Sequence, residues 1–218
     1  MKRRLARGIA GTLGFTLLGA VAIGFAARTD VRSHAAESET LDPSPSLVLR
    51  VGIAEQRMYV EVNGVPVDTL LVTVGTDAHP TPVGSYRISR IIWNPSWTPP
   101  PDAAWARGRA ATPPGDPRNP MGRVKMFFRS PDFYVHGTND ERTIGYRASH
   151  GCIRMRNRDV IEVARLAMEH GGEPREPNWF QRVLNRIRST EEVRLSRPIP
   201  FVVEEGTPPV PIGEPLTT

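Results

Sequence analysis

Asn63-Gly64 lies between two runs of β-forming residues, Met58-Tyr59-Val60-Glu61-Val62 and Val65 through Val74. A two-residue hairpin turn needs positive φ at its central positions, which Asn and Gly tolerate, so this dipeptide commits the flanking runs to an antiparallel pair. Leu47-Val48-Leu49-Arg50-Val51 precedes the pair, and Thr81-Pro82-Val83-Gly84-Ser85-Tyr86-Arg87-Ile88 turns into a further strand after it. Val124 to Phe128, Phe133 to Val135 and Ile199 to Val203 also read as strands. Proline (22) and glycine (19) make up about a fifth of the 218 residues, which implies many turns. No βαβ rhythm is visible, so the expected fold is mostly β, with its sheet built locally.

Two helices are expected late in the chain. Asn157 is placed to cap one running from Arg158 to His170, with Asp159 in its first turn and Gly171-Gly172 ending it. Val160, Ile161, Val163, Ala164 and Ala167 would form its buried stripe. A shorter helix from about Asn178 to Arg188 would turn Trp179, Val183, Leu184 and Ile187 inward. Residues 93–122 carry three Trp and eight Pro without an apolar period. A loop this long inside a compact domain is either functional or an ordered excursion. As a lid or groove wall it would offer Trp93, Trp97 or Trp105 as contacts.

The N-terminus has a different character. Lys2, Arg3, Arg4 and Arg7 precede Ile9 to Ala27, about 19 residues without a charge. That is the pattern of a secretion signal, and it is also just long enough to remain as a membrane anchor. Either way the positive end stays in the cytoplasm and the remainder is exported. The chain therefore divides into a signal or anchor (1–28), a flexible linker (29–46), a catalytic domain (47–205) and a disordered Pro-rich tail (206–218). The net charge of 28 − 23 = +5 permits an anionic partner. The basic residues are scattered, however, and no nucleic-acid-binding motif is present.

Chemistry concentrates in Tyr134-Val135-His136-Gly137-Thr138 and Ser149-His150-Gly151-Cys152-Ile153-Arg154-Met155. Cys152 is the only cysteine, so it has no disulfide partner within the chain, and two of the five histidines lie within 152 − 136 = 16 residues of it. A thiol needs a neighbouring base or positive charge to work as a nucleophile, and both His136 and His150 are available as that base. Gly151 lacks a Cβ, so backbone N–H groups at Gly151 and Cys152 can aim at a substrate oxygen. Arg154 would point to the same side as Cys152 in an extended segment and hold a substrate carboxylate. His136, His150 and Cys152 are also three candidate zinc ligands, but no further paired ligand or HExxH motif accompanies them. His34, His79 and His170 read as surface residues.

These residues resemble the active-site signature of the YkuD-type L,D-transpeptidases, in which a histidine in an HG(T/S) segment precedes an SHGC segment. Thr81-Pro82-Val83-Gly84, Asn119-Pro120-Met121-Gly122, Val193-Arg194-Leu195 and Pro198-Ile199-Pro200-Phe201 resemble other segments of that family in the right order. The family form often has Asn where this chain has Arg154. The resemblance implies a β-sandwich-like catalytic domain with one or two flanking helices. It implies Cys152 as nucleophile, His136 as general base, the Gly137 carbonyl orienting the His136 ring, and His150 shaping the site. Gly151 and Cys152 would supply oxyanion donors, and Ser149, Arg154 and Trp97 would contact substrate. Peptidoglycan stem peptides would be the substrates and carbapenem-type compounds the inhibitors, with no cofactor, outside the cytoplasmic membrane and as a monomer. A carboxypeptidase of the same fold and a non-catalytic wall-binding module are the alternatives.

Overall fold

The structure, a computed structural model, describes residues 46–206. The expected leader at 1–28, nearly all of the linker, His34 and the tail from residue 207 lie outside the described residues. Among those described, no helix is long and apolar enough to cross a membrane.

Ten strands and two α-helices follow one another. They are β1 (Leu47–Gly52), β2 (Arg57–Val62), β3 (Val65–Leu71), β4 (Val74–Gly75), β5 (Gly84–Trp93), β6 (Val124–Arg129), β7 (Phe133–His136), β8 (Arg147–Ser149), β9 (Ile153–Arg154), α1 (Asn157–His170), α2 (Pro177–Asn185) and β10 (Glu191–Glu204). Eight strands form one sheet in the order β3-β2-β1-β10-β5-β6-β7-β9, and β4 pairs in parallel with β8. The fold is therefore mostly β with two helices, as the sequence implies.

The Asn63-Gly64 turn is present, with φ of 54° and 75° and Val62 paired to Val65. The second arm ends at Leu71 rather than Val74, because Thr73 leaves the hairpin and exchanges both backbone hydrogen bonds with Arg154, each 2.9 Å. The closing strand is much longer than Ile199 to Val203. β10 lies parallel to β1 and antiparallel to β5, so the last strand of the domain is inserted at the middle of the sheet.

One sheet face carries Leu49, Val51, Met58, Val60, Ile91, Met126, Val135, Phe201 and Val203, packed with Val160, Val163, Ala164 and Ala167 of α1. Period-2 alternation in the strands meets period-3.6 in the helix to make this core. Three expectations need correction here. Asn157 does not cap α1, since Arg156 occupies the N-cap without a side-chain bond and Asn157 is already the first helical residue. α2 ends at Asn185, so Ile187 is off the helix and 40% exposed, while Phe180 takes the inward position beside Val183. Trp93 is not a lid residue but the last residue of β5, fully buried, with its ring 5.8 Å from Trp179 and 5.6 Å from Phe180.

Candidate active site

The opposite face of the same sheet builds the site. In β7 the alternation sends Val135 into the main core and puts Tyr134 and His136 on the other side. Residues directly paired across strands share a face. Lys125 pairs with His136, Phe127 with Tyr134, and His136 in parallel with Arg154 of β9. Two adjoining strands and a short third thus deliver Lys125, Phe127, Tyr134, His136 and Arg154 to one surface.

Residues 94–122 cover that surface as an ordered loop. Trp97 and Thr112 bond to each other through both backbones (2.9 and 2.8 Å), and Asn119 donates to the Pro95 and Pro113 carbonyls (2.8 and 3.1 Å). Trp97 and Met121 pack with Phe127 and Tyr134 into a second apolar cluster that Trp105 and Cys152 join at its margin. Between loop and sheet lies a cavity of about 400 Å³, lined by Trp97, Trp105, Arg109, Tyr134, His136, Ser149, His150, Cys152 and Arg154 among others.

Cys152 is half-buried at the end of a tight segment that follows β8. The Ser149 hydroxyl donates to the Cys152 carbonyl at 2.5 Å and accepts from the Gly151 N–H at 3.1 Å. Gly151 has φ +104°, and a Cβ there would lie 2.7 Å from the Phe133 ring, so only glycine fits. The sulfur lies 3.4 Å from the Asp132 carbonyl, to which the thiol donates. Burial pushes the Cys152 thiol up, against the Tyr134 N–H and phenol and the charges of Lys125 and Arg154, all of which favour thiolate.

His136 is 2% exposed, and its Nδ1 lies 2.5 Å from the Gly137 carbonyl. Burial holds this imidazole far down, to about 3, with the positive charge of Arg154 pushing the same way. The ring is therefore neutral at pH 7, with Nδ1–H donating to the Gly137 carbonyl and the Pro120 backbone as a further partner of the imidazole. Asn157 secures this corner. It accepts from the Arg123 N–H and donates to the Thr138 carbonyl, both at 2.8 Å, and its Oδ1 would be 2.2 Å from any Cβ at Gly137.

His150 sits at the rim, stacked on Trp105 at 4.1 Å and 4.9 Å from the ring of exposed His79. Burial lowers its pKa. Arg154 is half-buried and makes no ion pair among the described residues, and Arg109 lines the same cavity, resting 5.3 Å over Trp97. Burial pushes Arg154 down, the negative charges of Cys152 and Asp140 work against that, and Arg109 adds to the lowering. Arg156 instead faces Glu141 and Asp159, at 3.8 and 3.9 Å. Among the described residues no group of three His, Cys, Asp or Glu side chains is gathered for a metal.

The structure thus brings Cys152, His136, His150, Ser149, Arg154 and Trp97 around one cavity. Ser149, expected to touch substrate, spends its hydroxyl on its own segment. Sequence reasoning passed over Lys125, Tyr134 and Arg109. The alternation Tyr134-Val135-His136 would have found Tyr134, whereas Lys125 needed the cross-strand register and Arg109 the course of a loop.

Comparison with known proteins bears on the family of the chain. A family model described as the L,D-transpeptidase catalytic domain (YkuD) matches residues 46–210. A probable L,D-transpeptidase ErfK/SrfK of Escherichia coli is 28% identical over 172 residues, covering 70% of this chain and 55% of the relative. A probable L,D-transpeptidase YbiS of the same organism is 32% identical over 117 residues, covering 50% and 38%. The chain spans about half the length, or less, of these relatives. Among solved structures, L,D-transpeptidase 3 from Mycobacterium tuberculosis with a faropenem-derived adduct is 18% identical, with a TM-score of 0.46 over 74% of this chain and 61% of that one.

Proposed function

The chain belongs to the YkuD family of L,D-transpeptidase catalytic domains, and from that premise we propose that it cross-links peptidoglycan stem peptides through a thioester on Cys152. The reading rests above all on one arrangement. The only thiol of the chain, a neutral His136 oriented by Gly137, and Arg154, which makes no ion pair among the described residues, open on the same cavity.

In the first step the Cys152 sulfur attacks the carbonyl at the L-centre of the donor's diamino acid. His136 takes the thiol proton and passes it to the departing amine of the terminal D-residue as the C–N bond breaks. The Gly151 N–H is taken by Ser149, which leaves the Cys152 N–H as the backbone donor for the oxyanion. Arg154, with Arg109 beside it, supplies guanidinium groups for substrate carboxylates. In the second step an acceptor amine attacks the thioester, gives its proton to His136 and restores the thiol. Trp97 and Trp105 wall the cavity against water, which would otherwise hydrolyse the acyl group. The charged and apolar pattern of residues 1–28 suits an enzyme acting outside the cytoplasmic membrane.

Intact-mass measurement of the full chain with a carbapenem, beside Cys152→Ala, tests the reading. A stoichiometric adduct on the wild type alone is expected. No adduct on a folded wild type, or an equal adduct on the variant, would overturn it.

A further inference from the structure

Lys125 has no role in the mechanism above, yet the register sets it directly opposite His136 on the site face. It is half-buried and makes no ion pair among the described residues. Its ammonium lies 3.8 Å from the centre of the Tyr134 ring and 4.7 Å from that of Phe127, and the Arg90 guanidinium covers Phe127 at 3.8 Å. A cation this far out of water is ordinarily matched by a carboxylate. Here it rests on aromatic faces, and Cys152 packs against the same cluster.

The charged and titratable groups around the sulfur come from every element packed on it. β6 contributes Lys125, with Arg90 of β5 beside it over Phe127, and β7 with the turn before it contributes Asp132, Tyr134 and His136. His150 precedes the thiol, Arg154 follows it on β9, and Arg109 and Asp102 reach the cavity from the covering loop. Asp132 meets the thiol through its backbone carbonyl. Burial alone would make Cys152 a weak acid facing a weak base, since the same burial keeps His136 from accepting a proton readily. A fixed positive charge next to the sulfur offsets that cost.

We propose that Lys125 is a positioning cation for the reaction: seated on the Tyr134 ring, its ammonium is the countercharge that lets Cys152 yield its proton, acting through the Tyr134 donors that face the sulfur. The inference rests on the reading of Cys152 as nucleophile. A cation on the ring face strengthens the phenol as a donor, and that phenol stabilises the thiolate. Lys125 itself is held down to about 8 by burial, so its charge is present through neutral pH.

Because the chain has one cysteine, alkylation by iodoacetamide reports its sulfur alone. The experiment measures the alkylation rate of the full chain against pH for wild type, Lys125→Met, Lys125→Arg and Tyr134→Phe, with melting temperatures alongside. At pH 7, where Lys125 is charged, the rate should fall about tenfold or more in Lys125→Met. It should also fall in Tyr134→Phe and stay close to the wild-type value in Lys125→Arg. Equal rates at pH 7 in wild type and folded Lys125→Met would overturn the proposal. Should Lys125→Met not fold, an unchanged rate in Tyr134→Phe would overturn it. Carbapenem labelling of the wild type keeps the two readings apart. An adduct with equal alkylation rates removes the countercharge alone, and a slowed Lys125→Met without an adduct removes the transpeptidase alone.

Discussion

At the scale of single residues, burial decides the protonation states. His136 is enclosed by the sheet and covering loop, and its pKa falls to about 3 from the ordinary 6.5, because burial and the Arg154 charge both oppose imidazolium. The sign of the linkage follows. As pH drops below 6.5 the unfolded chain binds a proton at this position and the folded chain does not until near 3, so stability is full above about 6.5 and declines toward 3. Urea unfolding of wild type and His136→Gln at pH 7 and pH 4.5 checks this. The wild type should lose more stability between the two, by on the order of a few kcal/mol. Equal losses would show that His136 is not held neutral. The chemical identities of Cys152, His136 and Arg154 were legible in the sequence because their types and spacing are local. Their charge states were not, because desolvation depends on what packs over them.

At the scale of elements, Asn157 shows how a residue suited to one task is used for another. Its sequence context fits a helix cap, but the close approach of residues 122–123 and 137–138 gives its amide two backbone partners there. It therefore joins the start of α1 to the turn carrying Gly137. Asn157→Ala should cost about 1–3 kcal/mol in urea denaturation, since it strands the Arg123 N–H and the Thr138 carbonyl. It should also lower the carbapenem acylation rate by loosening the carbonyl that orients His136. A stability loss typical of a cap with an unchanged acylation rate would refute the link. Residues 93–122 make the complementary point. Their composition marked a loop, and only contacts across it divide Trp93, in the core, from Trp97 and Trp105, at the cavity.

At the scale of the whole molecule, the sheet has two unlike faces. One holds the main core with α1 and α2, and the other holds the second apolar cluster and the candidate site under its loop. Trp93 anchors α2 to the core, and its Nε1 is buried without an acceptor among the described residues. Trp93→Ala should therefore lower unfolding free energy by about 3–5 kcal/mol, as a large core deletion does. Trp93→Phe should cost clearly less than Trp93→Ala, because it removes the unpaired donor along with part of the ring. Similar costs for both, read from urea midpoints, would mean that the N–H has a partner. The strands around Asn63-Gly64, the helix after Arg156 and the Ser149–Arg154 segment with its cysteine are determined by the sequence itself, since turn geometry, periodicity and residue chemistry act over a few positions. The insertion of β10 between β1 and β5, the place of Lys125 opposite His136, and the separation of the tryptophans were decided by tertiary structure. Pairing partners distant in the chain are chosen by which apolar faces can be buried together, and no local pattern encodes that choice.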